Sequence, residues 1–266
     1  MRAYLLCFSF ILGCAVAQTP TEMRMTTWSI AAMDLATGDV GVAAASCVPD
    51  AHADALAALV PGVGVAVTQA VWNLENRNIV YDALRNGTSA DRIIELVADR
   101  QRDEALDDRQ YGVVTLTDGD VRIAGFTGED APDWSGIQQD RSMAVTVQGN
   151  TLVGESVVAE ALAAYLSDEP SGQNWLSDRL MRALEAGSAA GGDVRCNNSE
   201  FTSTAATAFI LVARTGDDPY AAESIRVTDQ GTVVAPWLAI SEAGPKEGPN
   251  PILEVRRRYD SWRSSR

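Results

Sequence analysis

Residues 27–45 read TWSIAAM-DLATGD-VGVAAA, two short apolar runs separated by a polar segment that contains Gly38. Short runs of β-branched, aromatic and small apolar residues are typical of buried strands, and a polar, glycine-containing link favours a tight turn. We therefore predict an antiparallel pair of strands over 27–33 and 40–45. The small side chains of the second run leave room for another layer of structure to pack closely against it.

Strand pairs and helix pairs alternate along the rest of the chain. Asn86 and Gly87 form a C-cap signal after the first predicted helix, and Thr88 is suited to cap the second. This order predicts one α/β domain of layered antiparallel sheets covered by helices. Further strands are expected over 63–70, 111–116, 121–126, 144–148, 205–213 and 225–228, helices over 77–85, 90–100, 156–166, 175–186 and 252–262, and a Pro- and Gly-rich tail loop over 236–251.

The N-terminus has the layout of a secretory signal peptide. Arg2 supplies a positive start, residues 5–12 are apolar, and Ala15-Val16-Ala17 forms a cleavage site before Gln18. The apolar run is shorter than the roughly 20 residues that a membrane-spanning helix needs.

We therefore predict a cleaved signal peptide over 1–17, a short leader or propeptide over 18–26 and a single domain over 27–266. The protein is then expected in the periplasm or outside the cell. A retained membrane anchor and lipidation at Cys14 are the alternatives.

The chain is acidic, with a formal net charge of −15 from 21 basic and 36 acidic residues. Loss of Arg2 with the signal peptide leaves 20 basic against 36 acidic residues, a charge of −16. Such a chain repels phosphate backbones and anionic lipids. We expect no nucleic-acid partner and no membrane insertion after signal cleavage.

Cys47 and Cys196 are the two of four cysteines that lie outside the predicted signal peptide. In an oxidising compartment, such a pair is typical of a disulfide. A reactive thiol at Cys47 and a pair of unpaired buried thiols are the alternatives. No C-x-x-C or Cys/His cluster is present, so we predict no metal site.

The sequence lacks most familiar catalytic motifs. His52 is the sole histidine, and the sequence has no G-x-S-x-G elbow, Walker loop or dinucleotide fingerprint, so no cofactor is predicted. Thr26 and Thr27 remain at the start of the first strand. A threonine that is the first residue of a chain is activated by its own α-amine, whose ordinary pKa of about 8 leaves much of it neutral at physiological pH.

Segments along nearly the whole mature chain resemble the DUF1028 family of uncharacterised proteins. They include the first strand pair, GVGVAVTQA over 62–70, AGFTG over 124–128, VQGN over 147–150, LEAG over 184–187, AGGDVR over 190–195 and PNPILE over 249–254. The resemblance implies an N-terminal-nucleophile hydrolase-like fold, which is a four-layer αββα sandwich of two antiparallel sheets.

The resemblance also implies a threonine nucleophile, because many members of the family begin directly at the position of Thr27. This chain departs from that pattern, since signal cleavage leaves residues 18–26 ahead of Thr27 and a second cut is needed. Thr26 is an alternative nucleophile, because the Thr26-Thr27 pair resembles the start of proteasome-type subunits. The sole lysine, Lys246, lies in the tail loop and is not expected to serve as their lysine partner.

The other matched positions receive roles by analogy. Asn150 would stabilise an oxyanion, Asp193 and Arg195 would bind the amine and carboxylate of a substrate, and Gln69 would hold the nucleophile or the substrate. The alternatives are structural: a satisfied buried amide, an ion pair and an ordinary strand residue.

The function expected on this basis is hydrolysis of a small amide or peptide-like compound in the cell envelope. The alternative is a non-enzymatic exported protein that uses the same fold to bind a ligand. Proteins of this fold often pair through their helical layers, so a homodimer is an alternative to a monomer.

Overall fold

The computed structural model describes residues 22–49, 53–131, 133–169, 174–200, 203–216 and 237–266. The predicted signal peptide over 1–17, the first four leader residues and the strand over 225–228 lie outside these ranges. Cys14 and His52 lie outside them as well.

Within the described ranges, the first antiparallel sheet has five strands. Its path runs through β1 (Glu22–Met25), β5 (Gly64–Asn73), β6 (Arg109–Thr117) and β7 (Asp120–Thr127), while β4 (Ala57–Val60) also pairs with β5. The β6–β7 hairpin turns at Asp118 and Gly119, whose φ angles are 54° and 82°. Two central residues with positive φ are what a tight two-residue hairpin turn requires. The predicted hairpin is therefore confirmed.

The second antiparallel sheet has six strands among the residues that the structure describes. Their order is β11 (Leu238–Ala243), β10 (Thr207–Ala213), β3 (Val40–Ser46), β2 (Thr27–Met33), β9 (Val145–Leu152) and β8 (Trp134–Asp140). The predicted first strand pair is confirmed as β2 and β3, in a register that runs from Thr27 opposite Ser46 to Met33 opposite Val40. Every residue of both strands is buried, which fits their mostly apolar sequences.

The strand β2 lies between two cores. Ala31 and Met33 belong to the core shared with the first sheet, whereas Trp28 and Ile30 pack toward helices on the opposite face. Helices α1 (Leu74–Arg85) and α2 (Ala90–Val97) cover the first sheet, and α3 (Ser156–Leu166), α4 (Leu176–Ala189) and α5 (Pro251–Ser264) cover the second. The layers therefore follow the predicted αββα order.

Four strands differ from the sequence-based expectation. β1 lies in the predicted leader and β11 in the predicted tail loop, while β4 and β8 were not expected. These strands are short or polar, and their pairing depends on neighbours that are distant in sequence. In addition, α2 ends at Val97 and has Ser89 as its N-cap instead of Thr88, because two adjacent hydroxyl residues give the same capping signal.

Among the described residues, no helix combines the length and the hydrophobicity that a bilayer-spanning helix needs. Close contact between layers instead depends on small residues. At Gly187 of α4, a Cβ atom would lie 2.5 Å from the indole nitrogen of Trp28. A glycine at this position therefore lets α4 approach β2.

Candidate active site

The chain crosses from the first sheet to the second at Thr26. β1 ends at Met25, opposite Ala70 of β5, and β2 begins at Thr27, opposite Ser46 of β3. Thr26 is 1% exposed and Thr27 is fully buried. The two threonines that the sequence singles out therefore lie at the junction of the two sheets.

The carbonyl oxygen of Thr26 accepts two side-chain hydrogen bonds. Ser46 Oγ donates to it over 2.6 Å, and Arg195 Nη2 donates over 3.3 Å. This oxygen belongs to the peptide bond between Thr26 and Thr27. A hydroxyl and a guanidinium on one carbonyl oxygen polarise that bond and stabilise negative charge on the oxygen.

Asp193 fixes the position of Arg195. Its fully buried carboxylate accepts hydrogen bonds from Arg195 Nε over 2.9 Å, Nη2 over 2.6 Å and the backbone N–H over 3.0 Å. The Cys47 backbone N–H donates to the same carboxylate over 3.2 Å. Burial of a carboxylate requires such partners, and here they also hold Arg195 against the Thr26 carbonyl.

A disulfide joins the two segments that supply these donors. Cys47 and Cys196 are bonded, with Cα atoms 5.6 Å apart. Cys47 directly follows Ser46, and Cys196 directly follows Arg195. The predicted disulfide is confirmed, and the alternatives of a reactive thiol at Cys47 or two unpaired thiols are wrong.

Thr27 is held from both sides. Its Oγ1 donates to the Met25 carbonyl over 2.9 Å, and its own carbonyl accepts from Gln69 Nε2 over 3.2 Å. Gln69 Oε1 in turn accepts from Ser29 Oγ over 2.6 Å. Gln69 thus contacts the main chain of Thr27, not its hydroxyl group.

Gln110 connects Gln69 to Asn150. Its Oε1 accepts from Gln69 Nε2 over 2.7 Å and from Asn150 Nδ2 over 2.9 Å. Its Nε2 donates to the Gly149 carbonyl and the Thr127 hydroxyl, each over 2.9 Å. The Asn150 amide therefore donates to Gln110, and the Thr26 carbonyl has Ser46 and Arg195 as its donors.

Sequence reasoning missed Ser46, Gln110 and Gln148. Gln148 Nε2 donates to the hydroxyl and the carbonyl of Ser29, over 2.7 and 3.0 Å. A Cβ at Gly112 would lie 2.0 Å from Gln148 Oε1, so only glycine leaves room for this amide between the sheets. Each glutamine lies in a strand that also contains other polar residues, so its sequence context did not mark it as a site residue.

Two strained backbone positions flank this network. Ala70 and Thr151 have φ angles of 70° and 58°, and they directly follow Gln69 and Asn150. Left-handed backbone is uncommon for alanine and an outlier for a β-branched threonine, at a cost of about 1–3 kcal/mol. Strain of this kind clusters at functional sites, which supports the assignment of the site to this region.

Glu22 anchors β1 to a buried arginine. Arg109, whose side chain is 2% exposed, donates to Glu22 Oε1 over 2.7 Å and to Asp103 over 2.8 Å. The hydrogen bonds from Arg109 and Asn73 lower the pKa of the Glu22 carboxyl. Burial opposes ionisation of Arg109 and Asp103, but their mutual hydrogen bonds raise the pKa of Arg109 and lower that of Asp103.

The sequence-based site residues converge at the start of β2. They are Thr26, Thr27, Gln69, Asn150, Asp193 and Arg195. Thr27, Gln69 and Asn150 are each at most 1% exposed, so solvent does not reach the Thr27 hydroxyl while β1 is in place. Within the described ranges, no group of three or more His, Cys, Asp or Glu residues could hold a metal ion.

Comparison with known proteins gives a family and a fold. The model of a family described as "Family of unknown function (DUF1028)" matches residues 27–236, so the match begins at Thr27. The crystal structure of protein SPO2555 from Silicibacter pomeroyi, which carries the same family model, is similar with a TM-score of 0.65 and 21% identity. That similarity covers 89% of this chain and 88% of the other, and it shows the fold alone. No curated protein matches the chain.

Proposed function

The chain belongs to the DUF1028 family, a family of unknown function, and we propose that it is an N-terminal-nucleophile amidohydrolase of the cell envelope. Thr27 is the nucleophile, and a cut before it frees the α-amine that activates it. The substrate is a small amide or a peptide-like compound. The Cys47–Cys196 disulfide supports action in an oxidising compartment, either the periplasm or the exterior.

The two hydrogen-bond donors on the Thr26 carbonyl oxygen are the main support for this proposal. Ser46 Oγ and Arg195 Nη2 contact an oxygen one peptide bond away from Thr27, which is where a carbonyl attacked by Thr27 would lie. After the leader leaves, the carbonyl of a substrate takes the place of the Thr26 carbonyl. One preorganised donor of this kind contributes about 3–4 kcal/mol of transition-state stabilisation in other hydrolases.

The chemistry then proceeds in two steps. Thr27 Oγ1 attacks the substrate carbonyl carbon, the α-amine carries the hydroxyl proton to the leaving amine, and the C–N bond breaks to leave an ester on Oγ1. Water hydrolyses the ester, the carboxylic acid departs and Oγ1 regains a proton. Ser46 and Arg195 stabilise the negative oxygen in both steps.

Three further residues position this machinery. The buried Asp193 carboxylate orients the partly exposed Arg195 through their ion pair. Gln69 and Asn150 meet at Gln110, and Gln69 holds the main chain of Thr27. Asn150 therefore acts as a positioning residue in this proposal.

The same donors support removal of the leader by the chain itself. Attack of Thr27 Oγ1 on the Thr26 carbonyl carbon moves the acyl group from nitrogen to oxygen, and the hydroxyl proton ends on the freed nitrogen. Water then cleaves the ester and releases residues 18–26. The family match that begins at Thr27 supports this cut. Thr26, whose buried hydroxyl has no hydrogen-bond partner in the described chain, remains the alternative nucleophile.

Hydrolysis of simple amides tests the proposal. The exported protein is incubated with acetyl-threonine methylcoumarylamide and a panel of related acyl-amino-acid amides, and the fluorescent amine is measured. We expect the rate of amide hydrolysis by Thr27→Ala to be at least about a thousandfold lower than that of the parent, as it is in other enzymes that lose their catalytic nucleophile. Thr26→Ala, which alters the neighbouring buried threonine, serves as the matched control and retains activity. The opposite pattern would assign the reaction to Thr26, and no hydrolysis by protein that begins at Thr27 would contradict the proposal.

A second candidate function is ligand binding without catalysis, and the pairing of β1 favours it. Four register pairs with β5 and the Glu22–Arg109 ion pair hold the leader in the first sheet. A leader that stays keeps the Thr27 nitrogen in a peptide bond. An inactive protein that begins at Gln18 is the outcome that favours this candidate.

A further inference from the structure

We infer that the groove filled by β1 is the acyl-side binding site for substrate, and that it takes an extended peptide with an acidic residue four positions before the attacked carbonyl. This inference rests on the proposed function, because the groove opens only when the leader leaves. It adds a substrate class, a direction of binding and a recognition residue, Arg109.

The backbone of β5 offers an edge for such a peptide. Residues 71–73 pair with β1, while the pairing of β6 with β5 stops at Ala70. Departure of β1 leaves the N–H and C=O groups of this segment without strand partners among the described residues. An exposed edge of this kind binds an added strand through main-chain hydrogen bonds.

The direction of the bound peptide follows from the chain itself. The leader runs antiparallel to β5 from Glu22 opposite Asn73 to Met25 opposite Ala70, and then reaches the Thr26 carbonyl. A substrate in the same groove brings its own carbonyl to Ser46, Arg195 and Thr27. The residues on the acyl side of the attacked bond therefore lie along β5.

Arg109 selects an acidic residue in this peptide. It is buried, and its guanidinium divides its hydrogen bonds among Glu22, Asp103 and the Val71 carbonyl. Asn73 Nδ2 also donates to Glu22 Oε1, over 3.1 Å. When Glu22 leaves, Arg109 and Asn73 have lost a carboxylate partner, and a substrate carboxylate restores it.

The substrate residue that takes the place of Met25, one position before the residue whose carbonyl is attacked, is selected by size and polarity. Met25 is 1% exposed and belongs to the core between the sheets, whereas Arg24 on the same strand is exposed. Departure of Met25 empties a space lined by apolar side chains. A large apolar side chain in the substrate fills that space, while the position of Arg24 faces solvent and is not selected.

Peptide binding to the processed protein tests this inference. A fluorescent peptide of residues 18–26 with an amidated C-terminus is titrated with exported protein whose N-terminus has been sequenced, and anisotropy is measured. Glu22→Gln in the peptide should weaken binding about tenfold, which corresponds to 1.4 kcal/mol. Arg24→Gln is the matched control, because it removes a charge that faces solvent, and its affinity should equal that of the parent peptide.

The outcomes separate this inference from the proposed function. If the protein begins at Thr27 and hydrolyses acetyl-threonine amide, but binds the parent, Glu22→Gln and scrambled peptides equally or not at all, the inference is overturned and the proposed function stands. A protein that begins at Gln18 overturns both. Selective loss of affinity with Glu22→Gln, but not with Arg24→Gln, supports the inference.

Discussion

The Thr26 carbonyl oxygen is hydrogen-bonded by side chains, unlike the carbonyl oxygens of an ordinary sheet. Strand carbonyls are satisfied by backbone N–H groups, whereas this oxygen accepts from the Ser46 hydroxyl and from Arg195. The Asp193 carboxylate behind Arg195 is fully buried. An ion pair between this carboxylate and the partly exposed Arg195 adds little net stability compared with apolar packing, so its placement against a carbonyl oxygen fits the proposed chemistry at that carbonyl.

Removal of the Ser46 hydroxyl should slow leader cleavage. In Ser46→Ala, the oxyanion formed at Thr26 keeps Arg195 but loses its shorter donor, and we expect cleavage to be about a hundredfold slower. The time course is followed by intact mass after synthesis of the full chain. Ser142→Ala, which removes an exposed hydroxyl bonded to Asp140, is the control and should cleave at the parent rate. Equal rates for both variants would exclude Ser46 from the reaction.

Residue roles were predictable only in part. Thr27, Gln69 and Asn150 stood out through family resemblance, and the structure places them in one hydrogen-bonded network. Ser46 and Gln110 did not stand out, because a serine or glutamine in a strand gains its role only from partners on another strand. The sequence contains the residue types, but the contacts depend on tertiary structure.

Strand β1, which lies in the predicted leader, is held in the first sheet by a charged contact at its far end. Its EMRM sequence has little strand propensity, and its four register pairs depend on β5, which lies about fifty residues away. For this reason the strand was not predictable from local sequence. The predicted β2–β3 pair and α3 were found because their signals are local and strongly apolar.

Glu22 should make the retention of β1 dependent on pH. The chain is studied as Thr27→Ala, so that the leader is retained, with and without Glu22→Gln. The folded-state pKa of Glu22 is lowered, so its contribution is present above the ordinary pKa of about 4.3 and is lost as the pH falls through the lowered value. Because Glu22 is half-exposed, we expect the substitution to reduce the free energy of unfolding by at most about 1 kcal/mol near neutral pH.

Chemical unfolding at several pH values measures this difference. The gap between the two chains should close as the pH is lowered below about 4. Arg24→Gln on the same strand is the control and should leave the unfolding free energy unchanged at each pH. A gap that stays constant down to acid pH would mean that Glu22 does not act through its ionised carboxylate.

The disulfide should stabilise the link between β3 and the loop that carries Arg195. It spans 149 positions in sequence, and closing a loop of this length contributes about 4–5 kcal/mol on the chain-entropy model. The double variant Cys47→Ala/Cys196→Ala should therefore unfold at a lower temperature under non-reducing conditions. Parent protein treated with reductant is the control and should approach the midpoint of the double variant. An unchanged midpoint would show that the bond does not contribute to stability.

At the scale of the whole molecule, the four-layer architecture was the most predictable feature. The alternation of strand pairs and helix pairs places one core on each face of the second sheet, and the structure has this arrangement. The burial of Thr27 beneath β1 was not predictable from the sequence. It follows from β1 continuing through Thr26 into β2, so that a segment of the predicted leader pairs at the edge of the first sheet and Thr27 is buried.

The N-terminal residue of the protein recovered from cells decides whether Thr27 has the free α-amine that the proposed reaction needs. Intact mass and terminal sequencing are applied to the parent chain and to Thr27→Ala, both recovered from the exported fraction. We predict that the parent begins at Thr27 and that Thr27→Ala retains residues 18–26. A parent chain that begins at Gln18 would contradict this prediction, because the threonine would then have no free α-amine.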